Sequence, residues 1–175
     1  GTLTATNASS LPNSIGYATT AQRNGRSFTE SGTPSLANVI HFSIDFYDSN
    51  AALSPYRQSA NLQDGASPGG YGQLISLGLN NNLTSGADGG NYYMARILSV
   101  DGGTGASAYF KLNDVGAPLR STGWHTLAVD ITDTSFSFYV DGILSQTIAN
   151  AGTLRSYDVV RLGTGLSSTA VAGFD

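Results

Sequence analysis

Residues 123–148, GWHTLAVDITDTSFSFYVDGILSQTI, decide the fold. His125, Leu127, Val129 and Ile131 alternate with their neighbours, and Phe136, Phe138 and Val140 do so again after Asp133-Thr134. Successive side chains of a strand point to opposite faces, so each run buries one face and turns the other outward. Asp141-Gly142 suits a two-residue hairpin turn, because glycine takes positive φ freely and aspartate tolerates it. Ile143 to Ile148 then returns. Three consecutive antiparallel strands are predicted.

The same period recurs on both sides of this unit. From Val39 to Tyr47, Ile40, Phe42, Ile44 and Phe46 point one way and His41, Ser43, Asp45 and Tyr47 the other. Tyr71 to Leu79 places Ile75, Leu77 and Leu79 on one face. Asn91 to Val100 and Ala106 to Leu112 flank the turn-forming loop Asp101-Gly102-Gly103-Thr104-Gly105 and read as a hairpin. Tyr157 to Leu162 and Ala170 to Asp175 supply the last strands, and Gly1 to Thr6 reads as a first one. No stretch has a helical period. About ten strands without a helix predict an all-β, two-sheet antiparallel sandwich in one domain spanning residues 1–175. Phe42, Ile44, Phe46, Leu127, Val129, Phe136, Phe138 and Val140 are expected between the sheets. Residues 49–70 and 80–90 are too long for tight hairpins and read as irregular loops, where binding tends to sit.

Composition narrows the function. Only 11% of the 175 residues are charged, against roughly 25% in an average soluble protein. Net charge is −4 and the isoelectric point about 4.8, which leaves no footprint for nucleic acid or an anionic membrane. Absence of cysteine excludes zinc–thiolate and iron–sulfur sites, disulfides and cysteine nucleophiles. No run approaches the ~20 apolar residues of a membrane span. Polarity rests on Ser, Thr, Asn and Gly rather than Lys and Glu, a choice that reads as extracellular or cell-surface. No signal peptide is present and both ends stop inside strand patterns, so the chain reads as part of a longer one. The sequons at Asn7 and Asn82 are expected by chance in a chain this rich in asparagine and hydroxyl residues.

The segment Gly123-Trp124-His125-Thr126-Leu127-Ala128-Val129, followed by Phe138-Tyr139-Val140-Asp141-Gly142, resembles a laminin-G-like or concanavalin A-like jelly roll. Val160-Arg161-Leu162-Gly163-Thr164-Gly165 and Gly173-Phe174-Asp175 resemble that superfamily's closing strands. The resemblance covers residues 123–175 well and the first half by pattern, with the first strand and most of the last missing from a whole domain. It implies a structural calcium in which Asp175 is a ligand, an ion suited to hard oxygen donors. It chooses no activity, since lectins, adhesion modules, hydrolases and lyases share the fold.

Catalytic signatures are sparse. A glycosidase needs two carboxylates across the scissile bond, and Glu30 is the single glutamate. A lyase would need a Tyr–His–Arg set, for which His41, His125, Tyr92, Tyr93 and Arg96 supply types but no spacing. A Ser-His-Asp set can be written in any chain so rich in serine, and Gly-x-Ser-x-Gly is absent. The reading is a domain that is not an enzyme. His125 is expected to pack in its strand, His41 to lie on the surface, and Trp124 to anchor the core or a sheet edge. Sugar sites pair aromatic faces with amide and guanidinium donors, which singles out Tyr56, Arg57, Tyr71, Asn81, Tyr92 and Arg96 as glycan ligands. The leading expectation is a non-catalytic extracellular carbohydrate-binding or adhesion module. The alternative is a structural subunit of a surface layer, sheath or fibre that assembles with its own copies; a hydrolase or lyase ranks behind both.

Overall fold

The computed structural model describes residues 2–4, 14–17, 23–49, 58–65, 72–80, 90–99, 108–164 and 172–174. Thirteen strands, numbered in chain order, form two antiparallel sheets among them. The seven-stranded sheet runs β1 (Thr2–Thr4), β2 (Ser14–Tyr17), β13 (Ala172–Phe174), β4 (Ile40–Asp48), β9 (Gly123–Ile131), β10 (Ser135–Val140), β11 (Ile143–Ala149). The six-stranded sheet runs β3 (Arg23–Ser27), β12 (Val159–Thr164), β5 (Gln58–Gln63), β6 (Gln73–Leu79), β7 (Met94–Ser99), β8 (Phe110–Lys111). No helix among the described residues is long and apolar enough to cross a membrane.

The two-sheet jelly roll and its register follow the alternation. Phe42 opposes Val129, which opposes Phe138, and Ile44 opposes Leu127, which opposes Val140. Phe46, Leu127, Val129, Phe136, Phe138 and Val140 are fully buried, Phe42 is buried, and Ile44 packs against them partly buried. Ala60, Leu62, Ile75, Leu77, Ala95 and Ile97 form the facing layer. Two edge-on ring pairs cross between the layers, Phe46–Tyr93 at 5.9 Å and Phe110–Phe138 at 5.4 Å. Asp141 (φ 51°) and Gly142 (φ 77°) form the expected turn, with Val140 opposite Ile143. At Asp133-Thr134, Thr132 N–H bonds the Ser135 carbonyl and its hydroxyl accepts from the N–H groups of Thr134 and Ser135.

Two expectations are corrected. β5 runs through the supposed loop 49–70 and sits inside the six-stranded sheet between β12 and β6. Its QSANLQ has two apolar residues, Ala60 and Leu62, so alternation is faint although both are buried. β3, RNGRS, was not expected as a strand; it is exposed throughout and held by backbone pairing to β12 rather than by a buried face. β13 pairs with β2 on one side and β4 on the other.

Candidate functional site

The outer face of the six-stranded sheet carries a row of polar residues across its strands. Pairing sets Gly25 of β3 beside Arg161 of β12, Arg161 beside Asn61 of β5, Asn61 beside Ser76 of β6, and Ser76 beside Arg96 of β7. Tyr109, just before β8, lies over the far end: its hydroxyl is 3.3 Å from Ser76 Oγ, and the Arg96 guanidinium sits 5.5 Å from its ring centroid. Ser76 is buried under this cover, while Asn61, Arg96, Tyr109 and Arg161 stay half-exposed. The row therefore offers an aromatic ring, two guanidinium groups and an amide, the donors and apolar surface that sugars require. At its other end a groove of about 400 Å³ is lined by Arg23, Asn24, Gly25, Arg26, Ser27, Val159 and Arg161.

Of the expected glycan ligands, Arg96 stands in this row. Tyr92 lies half-buried just before β7 while Tyr93 is in the core. Tyr56, Arg57, Tyr71, Asn81 and Asp175 lie outside the described residues. The calcium implied by the resemblance depends on Asp175, and no three His, Cys, Asp or Glu among the described residues group to hold a metal. Sequence reading missed Asn61, Ser76, Tyr109 and Arg161, because their neighbourhood exists only through pairing of strands distant in sequence.

A second cluster lies at one end of β9. His125 Nδ1 is 2.7 Å from Asp141 Oδ2, and its Nε2 is 2.9 Å from both the hydroxyl and the carbonyl oxygen of Ser121. Asp141 Oδ1 accepts the Thr126 N–H at 2.9 Å. The His125 ring lies 5.2 Å from that of Tyr93, whose hydroxyl donates to the Ser121 carbonyl at 3.4 Å. Serine, histidine and aspartate are thus in line, which spacing alone did not reveal. Asp141 is occupied in closing the hairpin, so the cluster ties the turn and the preceding loop to β9. Below it Arg120 Nε and Nη2 grip Asp48 Oδ2 and Oδ1 at 2.9 and 3.2 Å, with both side chains buried. Trp124 lies on the opposite, outer face of the seven-stranded sheet, 5.3 Å from the Tyr47 ring, and exposed His41 bonds Asp130 there at 2.6 Å.

No protein-family model matches the chain, and no curated protein matches it in sequence. Solved structures do match in shape. A Crh5 transglycosylase superposes on 93% of this chain and 68% of its own, with TM-score 0.53 and 10% identity. A fructofuranosidase from Schwanniomyces occidentalis covers 92% of this chain, with TM-score 0.48 and 9% identity; the chain spans only 32% of that protein. A congerin II variant, matched over its whole length and 88% of this chain, has TM-score 0.46 and 10% identity. The transglycosylase overturns the expectation that a chain of this shape is not an enzyme, since its own sandwich is that of an enzyme. An identity near one residue in ten carries the fold and nothing finer: with the two paired sheets, the transglycosylase likeness shows a two-sheet antiparallel jelly-roll sandwich.

Proposed function

We propose that this domain is carbohydrate-directed and receives a glycan on the outer face of its six-stranded sheet. The observation that carries the reading is the row from Arg161 through Asn61 to Arg96 and Tyr109, which lays an aromatic ring, an amide and two planar donors along one surface. The Tyr109 ring offers a flat apolar face for sugar C–H groups, and Arg96 beneath it is oriented for hydroxyl oxygens. The transglycosylase likeness supports a carbohydrate setting, as does a polar surface built from hydroxyl and amide residues in place of Lys and Glu. Such a surface suits an extracellular location.

Titration calorimetry against a panel of soluble polysaccharides tests this reading. Tyr109→Ala and Arg96→Ala are each expected to weaken binding by about fivefold or more, a loss in keeping with one aromatic or guanidinium contact. Trp124→Ala, on the opposite sheet, should leave affinity unchanged. Equal binding by all three variants and the parent protein would place the glycan elsewhere.

A further inference from the structure

The two sheets divide the charge. Five of the eight Lys and Arg residues, namely Arg23, Arg26, Arg96, Lys111 and Arg161, stand on strands of the six-stranded sheet, and none of its strands carries an Asp or Glu. The strands of the seven-stranded sheet carry Asp45, Asp48 and Asp130 and no Lys or Arg. A chain with net charge −4 thus turns a basic sheet to one side.

The groove between β3 and β12 concentrates that charge. Arg23, Arg26 and Arg161 line it together with Asn24 and Ser27. Arg23 and Arg26 are exposed and join no ion pair among the described residues. Glycine at position 25 shapes the floor: a Cβ there would lie 3.1 Å from Arg161 Cγ and 3.7 Å from its Cδ and Nε, so the absent side chain lets the Arg161 stem lie across β3. The flanking acids are engaged elsewhere. Asp158 Oδ1 accepts the Gly65 N–H at 2.7 Å, and Glu30 accepts the Ser156 hydroxyl at 3.2 Å.

We propose that the glycan taken by this face is an acidic polysaccharide, whose carboxylate or sulfate groups the β3–β12 groove binds through Arg161 and Arg23, which pairing sets on one face, Arg26 standing on the other beside Val160. This rests on the carbohydrate-directed reading above and names its ligand class. Guanidinium groups bind planar oxyanions through paired, charge-assisted hydrogen bonds that neutral sugars cannot return. A polymer fits better than a small anion, because Arg161 and Arg96 occupy one row three strands apart, about 14 Å at the usual strand spacing. One extended chain laid across the strands reaches both.

Calorimetry with polygalacturonate, dextran sulfate, neutral laminarin and duplex DNA tests the proposal on the parent protein, Arg161→Gln, Arg23→Gln, Arg26→Gln and Gly25→Ala. Circular dichroism confirms folding of each, and the exposed β3 positions keep one variant informative should Arg161→Gln misfold. The parent is expected to bind at least one acidic polysaccharide more tightly than laminarin, and to lose about tenfold as salt rises from about 50 to about 500 mM. Arg161→Gln and Arg23→Gln should each weaken acidic binding by about tenfold, the scale of a lost charge-assisted pair. Arg23→Gln should leave laminarin unchanged, and Arg26→Gln, on the other face, should change neither. Gly25→Ala should weaken acidic binding by displacing Arg161. Binding of laminarin alone, or acidic binding untouched by every variant, overturns the acidic ligand and leaves the carbohydrate reading standing. Binding of no polysaccharide overturns both. Duplex DNA bound as tightly as either polysaccharide shows a general polyanion surface and overturns the saccharide assignment.

Discussion

Asp141 shows how much one side chain settles at a turn. It adopts φ 51°, outside the range most L residues favour, and its two carboxylate oxygens hold the Thr126 N–H and His125 Nδ1. Asparagine tolerates the same backbone and keeps one acceptor, whereas alanine loses both bonds and takes up the strain. Asp141→Asn is therefore expected to cost about 1 kcal/mol and Asp141→Ala about 2–3 kcal/mol by equilibrium urea unfolding. The opposite order would show that the turn does not depend on these bonds. Nitrogen NMR should find the neutral His125 protonated at Nδ1, the atom that faces the carboxylate. The Asp141-Gly142 turn was legible from the dipeptide; the attachment of Ser121 to His125 was not, because a loop residue's reach depends on where tertiary packing leaves it.

Strands differ in how clearly they announce themselves. β4, β9 and β10 bury alternate large apolar residues, so their register can be read directly from the pattern. Phe138 is the sharpest test: fully buried, it meets Phe110 of the other sheet edge-on at 5.4 Å. Phe138→Ala is expected to cost about 3–5 kcal/mol, read from the midpoint of denaturant unfolding, with a loss under about 1 kcal/mol counting against the register. β3 and β5 escaped notice for opposite reasons. β3 is an edge strand with no buried face, and β5 is central yet buries Gln58 and Gln63 beside Ala60 and Leu62. β3 lines the groove together with β12, and β5 supplies Asn61, so the candidate site was poorly legible where the strands themselves were.

At the scale of the whole molecule, packing of one sheet on the other isolates two phenols from water. Burial raises the pKa of Tyr93 well above the ordinary tyrosine range, reinforced by the Asp48 carboxylate, and burial with Asp64 does the same for Tyr157. Because the folded state holds these protons more tightly, their contribution is complete below pH about 10, where free tyrosine titrates, and is lost as pH climbs beyond it. Phenolate absorbance should show at least two of the nine tyrosines un-ionised until the protein unfolds at high pH, and Tyr157→Phe should lower their number by one. Titration of all nine while the fold persists would contradict this burial. Alternation of apolar residues, the Asp-Gly turn and the absence of helical period by themselves determined an all-β sandwich and most of its core, because period-two burial is a local property of each strand. Which strands lie side by side was decided only by tertiary structure. Arg161, Asn61 and Arg96 belong to three strands distant in sequence, and the division of charge between the sheets exists only once non-local pairing has sorted the strands.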